Sequence, residues 1–195
     1  MKITKISPAV KTEGRYNVFV DDKYSFSLDE LQLVDLGLKS GQEIDEVQLA
    51  EYKSESDFGK NYVRALDLIS RRLRSEREIR DYAFRKQWSK ENAERVVERL
   101  YKYGYLDDAK FARVFVSSRS GRGFSQRRMM AELAKKGIKK EVVDEVINSS
   151  KDFSETASLE KLIAKKRAHY NDDRKLVAYL ARQGFRYDDI KAALE

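Results

Sequence analysis

One stretch of this chain occurs three times. Residues 75–88 (SEREIRDYAFRKQW), 125–138 (SQRRMMAELAKKGI) and 172–185 (DDRKLVAYLARQGF) fall into register at shifts of 50 and 47 residues. A period of that size marks tandem supersecondary units, each too small to bury its apolar face alone and so expected to bury it on its neighbours. Every copy opens on an N-cap residue, Ser75, Ser125 or Asp172, whose side-chain oxygen can accept an otherwise orphan backbone N–H. Glu78 is placed to complete a capping box in the first copy. The pairs Ile79 and Ala83, Met129 and Leu133, and Leu176 and Leu180 stand at i and i+4, the spacing of a buried helical stripe. Trp88, Ile138 and Phe185 follow a helix stop at which Gly137 and Gly184 supply a left-handed residue and Gln87 departs from glycine. A second helix follows each stop, marked by Ala93 and Val97, Val143 and Ile147, and Ile190 and Leu194.

A third helix precedes each pair: Tyr62 to Leu73, Asp108 to Arg119, and about Thr156 to Arg167. In the second, Asp107 is the cap, and Phe111, Val114, Phe115 and Ser118 are read as the inward face. The expected architecture is mainly α: tandem three-helix repeats over residues 62–108, 109–155 and 156–195 in an elongated curved array. Residues 1–61 form a small acidic α+β module with a linker helix. In that module RYNVFVDDKYSFSL reads as a hairpin turning at Asp21-Asp22-Lys23, with KITKI as a third strand. A short helix then ends at Gly37, a turn falls at Ser40-Gly41, and the linker helix starts near Asp45.

Composition narrows the chemistry. There is no cysteine, and His169 is the single histidine, so thiolate nucleophiles, disulfides and multi-histidine metal sites are excluded. No apolar run approaches the ~20 residues that span a bilayer, and the expectation is a cytoplasmic protein. Residues 1–61 hold 8 Lys+Arg against 12 Asp+Glu, a net of −4, while residues 62–195 hold 32 against 21, a net of +11. The basic part points to a polyanion or an acidic protein surface.

Comparison of the three copies shows where that charge recurs. Arg77, Arg127 and Arg174 share one position, and Arg85, Lys135 and Arg182 another. Arg71, Arg72 and Arg74, then Arg119, Arg122, Arg127 and Arg128, then Lys135, Lys136, Lys139 and Lys140 thicken the series. A merely solvated face, worth about 0–1 kcal/mol per exposed pair, competes with a recognition strip for a long anionic partner. The loop SSRSGRGF offers mobile backbone N–H groups and planar guanidinium donors but lacks the Gly-Lys-Ser/Thr ending of a nucleotide-wrapping loop. Tyr105, Phe111, Phe115, Trp88, Tyr179 and Phe185 sit at core spacing and read as packing rather than base stacking. The acidic pairs Asp107-Asp108, Asp172-Asp173 and Asp188-Asp189 read as helix starts rather than as catalytic carboxylates, and His169 as a surface residue.

The segments RRLRSEREIRDYAFRKQW, VVERLYKYGYLDDAKFARVFVSSRSGRG and ELAKKGIKKEVVDEVI resemble the RecX family, regulatory proteins that modulate the RecA recombinase. The resemblance covers about residues 62–150 closely and the C-terminal part more loosely. It implies a non-enzymatic protein that binds RecA filaments on single-stranded DNA and limits their growth or activity, in homologous recombination, DNA repair and the SOS response; a monomer without cofactor or metal is expected, with direct DNA contact as a further expectation. The family motif carries over to Arg74, Arg77, Arg119 and Arg122. Arg72, Arg127, Arg128, Lys135 and Lys136 join them on charge clustering alone. A stand-alone DNA-binding protein using the same basic surface is the alternative reading.

Overall fold

The computed structural model describes residues 1–10, 12–150 and 153–195. Its elements run β1 (Ile3–Pro8), β2 (Arg15–Val20), β3 (Lys23–Asp29), α1 (Glu30–Asp35), α2 (Glu46–Arg71), α3 (Glu76–Arg85), α4 (Lys90–Lys102), α5 (Asp108–Ser120), α6 (Gln126–Lys135), α7 (Lys140–Ser149), α8 (Glu155–Arg167), α9 (Asp173–Arg182) and α10 (Tyr187–Ala192). Two compact units result. The first comprises Met1–Arg72 and Tyr82–Tyr105, and the second Leu73–Asp81 and Leu106–Glu195.

In the first unit the strands form an antiparallel sheet in the order β1-β2-β3. Asp21 and Asp22 both take positive φ, 47° and 63°, the geometry of a two-residue hairpin turn. That turn sets a register in which Val18 faces both Ile6 and Phe26. Ile3, Val18, Phe26 and Leu28 are buried with Leu38, Ile44 and Tyr52. Asp29 and Asp45 each build a capping box, with Gln32 and Gln48.

The expected linker helix and the first repeat helix are one element, so the boundary anticipated at residues 61/62 falls inside α2. No helix stop intervenes, and two inward stripes share the helix. Tyr52 and Ser56 hold the sheet: the Ser56 hydroxyl donates to the Ser27 carbonyl at 2.6 Å, and the Ser27 N–H returns a bond at 3.3 Å. Further along, Phe58 and Asn61 meet α4, where Asn61 Nδ2 donates to Asn92 Oδ1 at 3.2 Å and Arg95 lies 4.4 Å above the Phe58 ring.

The second unit contains two helical triples with separate cores. Phe111, Ala112, Val116, Met129, Leu133, Ile138, Val143, Val146 and Ile147 form one, with Leu73, Phe115 and Phe124 against it. Leu159, Leu162, Leu176, Leu180, Phe185 and Ile190 form the other. The inward face of α5 differs from the expected one: Val114 is 51% exposed and Ser118 is exposed, while Ala112 and Val116 are fully buried. Ala112 and Val116 share one buried core with Val143, Val146 and Ile147 of α7, so that face of α5 is the one turned inward. All three helix stops make the same paired bonds: Trp88, Ile138 and Phe185 donate to Ala83, Leu133 and Leu180 carbonyls, and Gln87, Gly137 and Gly184 to Phe84, Ala134 and Ala181 carbonyls. This is the Schellman arrangement, with φ of 56°, 80° and 97° at the left-handed residue.

Candidate cationic interface

The nine nominated cations divide by what their side chains touch. Arg72 is the exposed C-cap residue of α2, in the first unit; the other eight lie in the second. Four of these are built into it. Lys136 Nζ meets Glu78 Oε1 at 2.5 Å, and Arg74 lies 4.0 Å from the same carboxylate, which is itself well covered. Arg119 stacks between Phe115 and Phe124, 5.1 and 5.3 Å from their ring centres, with its Nε buried and without an acceptor. Arg128 lies 3.9 Å above the Phe124 ring, donates from Nε to Glu132 at 3.3 Å and from Nη1 to Gln183 Oε1. Arg77, Arg122, Arg127 and Lys135 face solvent; Arg77, 57% exposed, has Asp81 at 4.0 Å.

Two of the solvent-facing cations, Arg77 and Arg127, stand at a joint that occurs twice. At one copy the buried Ser75 hydroxyl donates to the Lys136 carbonyl at 2.8 Å while accepting the Glu78 N–H, and the Glu76 N–H donates to Asp108 Oδ1 at 2.9 Å. At the other, Ser125 donates to the Gln183 carbonyl at 2.6 Å and accepts the Arg128 N–H, and the Gln126 N–H donates to Glu155 Oε2 at 2.7 Å. Each serine thus satisfies an orphan amide of its own helix and an orphan carbonyl of the next module's helix in a single contact. The glycines complete the fit. A Cβ on Gly137 would stand 2.6 Å from Arg77 Cβ, and one on Gly184 would stand 2.7 Å from Ser125 Oγ and 3.4 Å from Arg127 Cβ.

This geometry sets one repeated cation position against the turn that follows the other. Arg77 crosses the turn that directly follows Lys135 and Lys136, and Arg127 crosses the turn that follows Arg182. Such turns end in carbonyl groups, the negative end of a helix, which favours cations there. Arginines anchored by their stems on these turns keep their guanidinium groups available for phosphate or carboxylate.

The joint carboxylates add a pH signature. Partial burial pushes Asp108 above the usual carboxylate range, with Glu76 and Asp107 reinforcing the shift and the Glu76 N–H and Lys139 opposing it. Burial raises Glu155 in the same way, against the Gln126 N–H and with help from Asp189. A raised folded-state value means the folded chain holds the proton more tightly, so these groups favour folding at low pH. That contribution fades as pH rises through their folded values. Changing Asp108 to Asn and Glu155 to Gln preserves an acceptor oxygen and removes the charge. Urea titration of this double variant is expected to match or exceed the wild type at neutral pH, with the difference shrinking towards the ordinary carboxylate range near ~4. A pH-independent loss of stability would contradict this account.

Other expected packing residues behave unevenly. Phe111 and Phe185 are buried and Trp88, Phe115 and Tyr179 half-buried, whereas Tyr105 is 49% exposed beside the half-exposed Tyr103. Asp107 and Asp172 cap their helices through the Lys110 and Arg174 N–H groups. His169 is exposed. Among the described residues no group of three His, Asp or Glu side chains is arranged to hold a metal ion, and no helix is long and apolar enough to cross a membrane.

These features define a tandem three-helix-repeat protein whose elaborated parts, in the helical modules, are joints and a charged surface. Family models agree: the regulatory protein RecX N-terminal domain matches residues 1–45, the first RecX three-helix domain 62–100 and the second 107–147. The regulatory protein RecX of Bacillus subtilis is 36% identical over 200 residues, covering 99% of this chain and 76% of its own. That of Caldanaerobacter subterraneus subsp. tengcongensis is 31% identical, covering 100% and 98%. A crystal structure of regulatory protein RecX superposes with a TM-score of 0.79 at 26% identity over 98% of both chains. The chain belongs to the RecX family of regulatory proteins.

Proposed function

We propose that the protein binds RecA filaments on single-stranded DNA and limits their growth or activity, acting in the cytoplasm as a monomer and by binding alone. The observation that carries this reading is the repeated joint, which sets Arg77 against the Gly137 turn that follows Lys135 and Arg127 against the Gly184 turn that follows Arg182. A regular polymer offers anionic groups at regular intervals, and a repeat protein meets them with one cationic joint per module. Arg122, Arg127 and Lys135 make the outward contacts together with Arg77, and Arg72, in the first unit, adds a further exposed cation. Arg74, Arg119, Arg128 and Lys136 position the helices and loop that carry them.

The test adds the protein to preformed RecA filaments and follows ATP turnover and filament length. The variant with Arg122, Arg127 and Lys135 changed to Ala is expected to lose most of the wild-type inhibition while keeping its thermal stability, since exposed pairs contribute only about 0–1 kcal/mol. Inhibition undiminished in the variant would remove the surface from the reading; no inhibition by the wild type would remove the function. Titration of single-stranded DNA without RecA separates direct DNA contact. There log K falls by about 0.7 per tenfold rise in salt for each phosphate neutralised.

A further inference from the structure

The first unit carries a cavity that the cationic joints do not use. It measures about 720 Å³ and lies between residues 9–10 and 12–14, the faces of β2 and β3, and α2. That volume falls in the range of specific ligand sites. Arg15, Lys60 and Arg64 bring positive charge to its wall. Val10, Tyr24 and Val63 bring apolar surface that the fold leaves in water, at 99%, 56% and 58% exposure. Three such side chains around one opening form a patch, and a patch of this kind calls for a partner where a scattered residue does not.

Arg15 is fixed in advance. Its Nε donates to Ser27 Oγ at 3.2 Å and its Nη2 to the Ser27 carbonyl, and Ser27 is itself bound by Ser56. Burial lowers the pKa of the guanidinium despite the opposing pull of Asp29, Tyr24 and Asp57. The group is therefore partly withdrawn from water. Nearby carboxylates are already engaged: Asp29 caps the Gln32 N–H, and Asp57 lies 3.4 Å from Lys60. Two further features select among anions. A small free anion would leave the apolar wall wet, and a nucleic acid would bring a run of phosphates past Glu13 and Asp29 on a module whose net charge is −4, a repulsion much smaller for a segment that sets one carboxylate on Arg15 and Arg64.

We propose that this cavity docks a short acidic segment of a protein partner, with a carboxylate on Arg15 and Arg64 and a flanking apolar side chain on Val10, Tyr24 and Val63. The probe is an end-capped hexapeptide alternating glutamate with phenylalanine and leucine, titrated into the full-length, ¹⁵N-labelled protein. Amide signals of Gly14, Asn17, Ser27 and Val63 are expected to move together. Arg64→Gln and Val63→Asp, both on the exposed face of α2, are expected to weaken binding about tenfold or more while leaving the remaining spectrum in place. Arg15→Gln should do the same, and because it also removes the Ser27 contacts, the two α2 variants decide if it fails to fold. No response at millimolar peptide, a response mapped to another face, or an equal response to the lysine counterpart would overturn the proposal. So would an equal response to a glutamate-serine peptide, which would mark the cavity as a site for small anions.

Discussion

Replacing Gly137 with valine is expected to lower the stability of the second unit by about 2–5 kcal/mol, seen as a shift of the urea unfolding midpoint followed by far-ultraviolet circular dichroism. Two independent costs combine. A left-handed backbone at φ 80° costs a residue with a Cβ about 1–2 kcal/mol, and more when it is branched. The added atoms must also displace Arg77, whose Cβ would lie 2.6 Å from the new one. That neighbour is the stem of a side chain at its own backbone and not a flexible tip, so a further ~1–3 kcal/mol of overpacking is expected. Gln87 is the control. It occupies the same turn position with φ 56°, and its side chain is exposed. Gln87→Gly relieves backbone strain and adds unfolded-state entropy, two terms of similar size, so its effect should stay within about 1 kcal/mol. Equal midpoints for Gly137→Val and the wild type would show that the joint yields easily and is not what seats the modules.

The same contrast explains how much could be read from the residues alone. Repeat register, caps, stops and buried stripes are local features, written in contiguous residues and governed by hydrogen bonds within four or five positions, so the helices and hairpin were legible. The departure of Gln87 from glycine was visible too, but its meaning was not, because glycine is required at 137 and 184 by contacts with residues about sixty positions away. Asp108 reads in the sequence only as a helix start, and Glu155 does not stand out in it. Both stand at one repeat position, 47 residues apart, and both accept an N–H from another helix. That shared position was a signal available in the sequence. The split among the arginines was not available: Arg119 and Arg128 look like Arg122 and Arg127 until Phe115 and Phe124 are folded against them. Likewise, the inward face of α5 depends on which of its residues α7 packs against, and spacing alone offers several faces. The continuity of α2 escaped notice because its two apolar stripes serve different neighbours.

Changing Ser125 to alanine should cost about 2–4 kcal/mol, roughly two to four times the effect of the same change at Ser89. Ser89 accepts the Asn92 N–H at 3.1 Å and is exposed, so its removal loses an ordinary helix cap, about 1 kcal/mol, and water takes its place. Ser125 makes the equivalent cap with the Arg128 N–H, but its hydroxyl proton is also given to the Gln183 carbonyl, and the residue is fully buried. Alanine there strands a donor and an acceptor where water does not reach, adding ~1–3 kcal/mol. Aspartate separates the two functions more sharply. It remains a good cap acceptor but has no proton for a carbonyl when ionised, and it carries charge into a site with no solvent. Ser125→Asp should therefore be at least as damaging as alanine, although Asp172 stands at the same repeat position, exposed, and caps the Arg174 N–H at 2.9 Å. Asp172→Ser, by contrast, should shift the midpoint by less than ~1 kcal/mol. Thermal or urea unfolding of the four single variants would measure the whole series. If Ser125→Ala and Ser89→Ala lost the same amount, the serine hydroxyl would be a cap and nothing more, and the modules would owe their seating to the glycine contacts and the carboxylate-to-amide bonds.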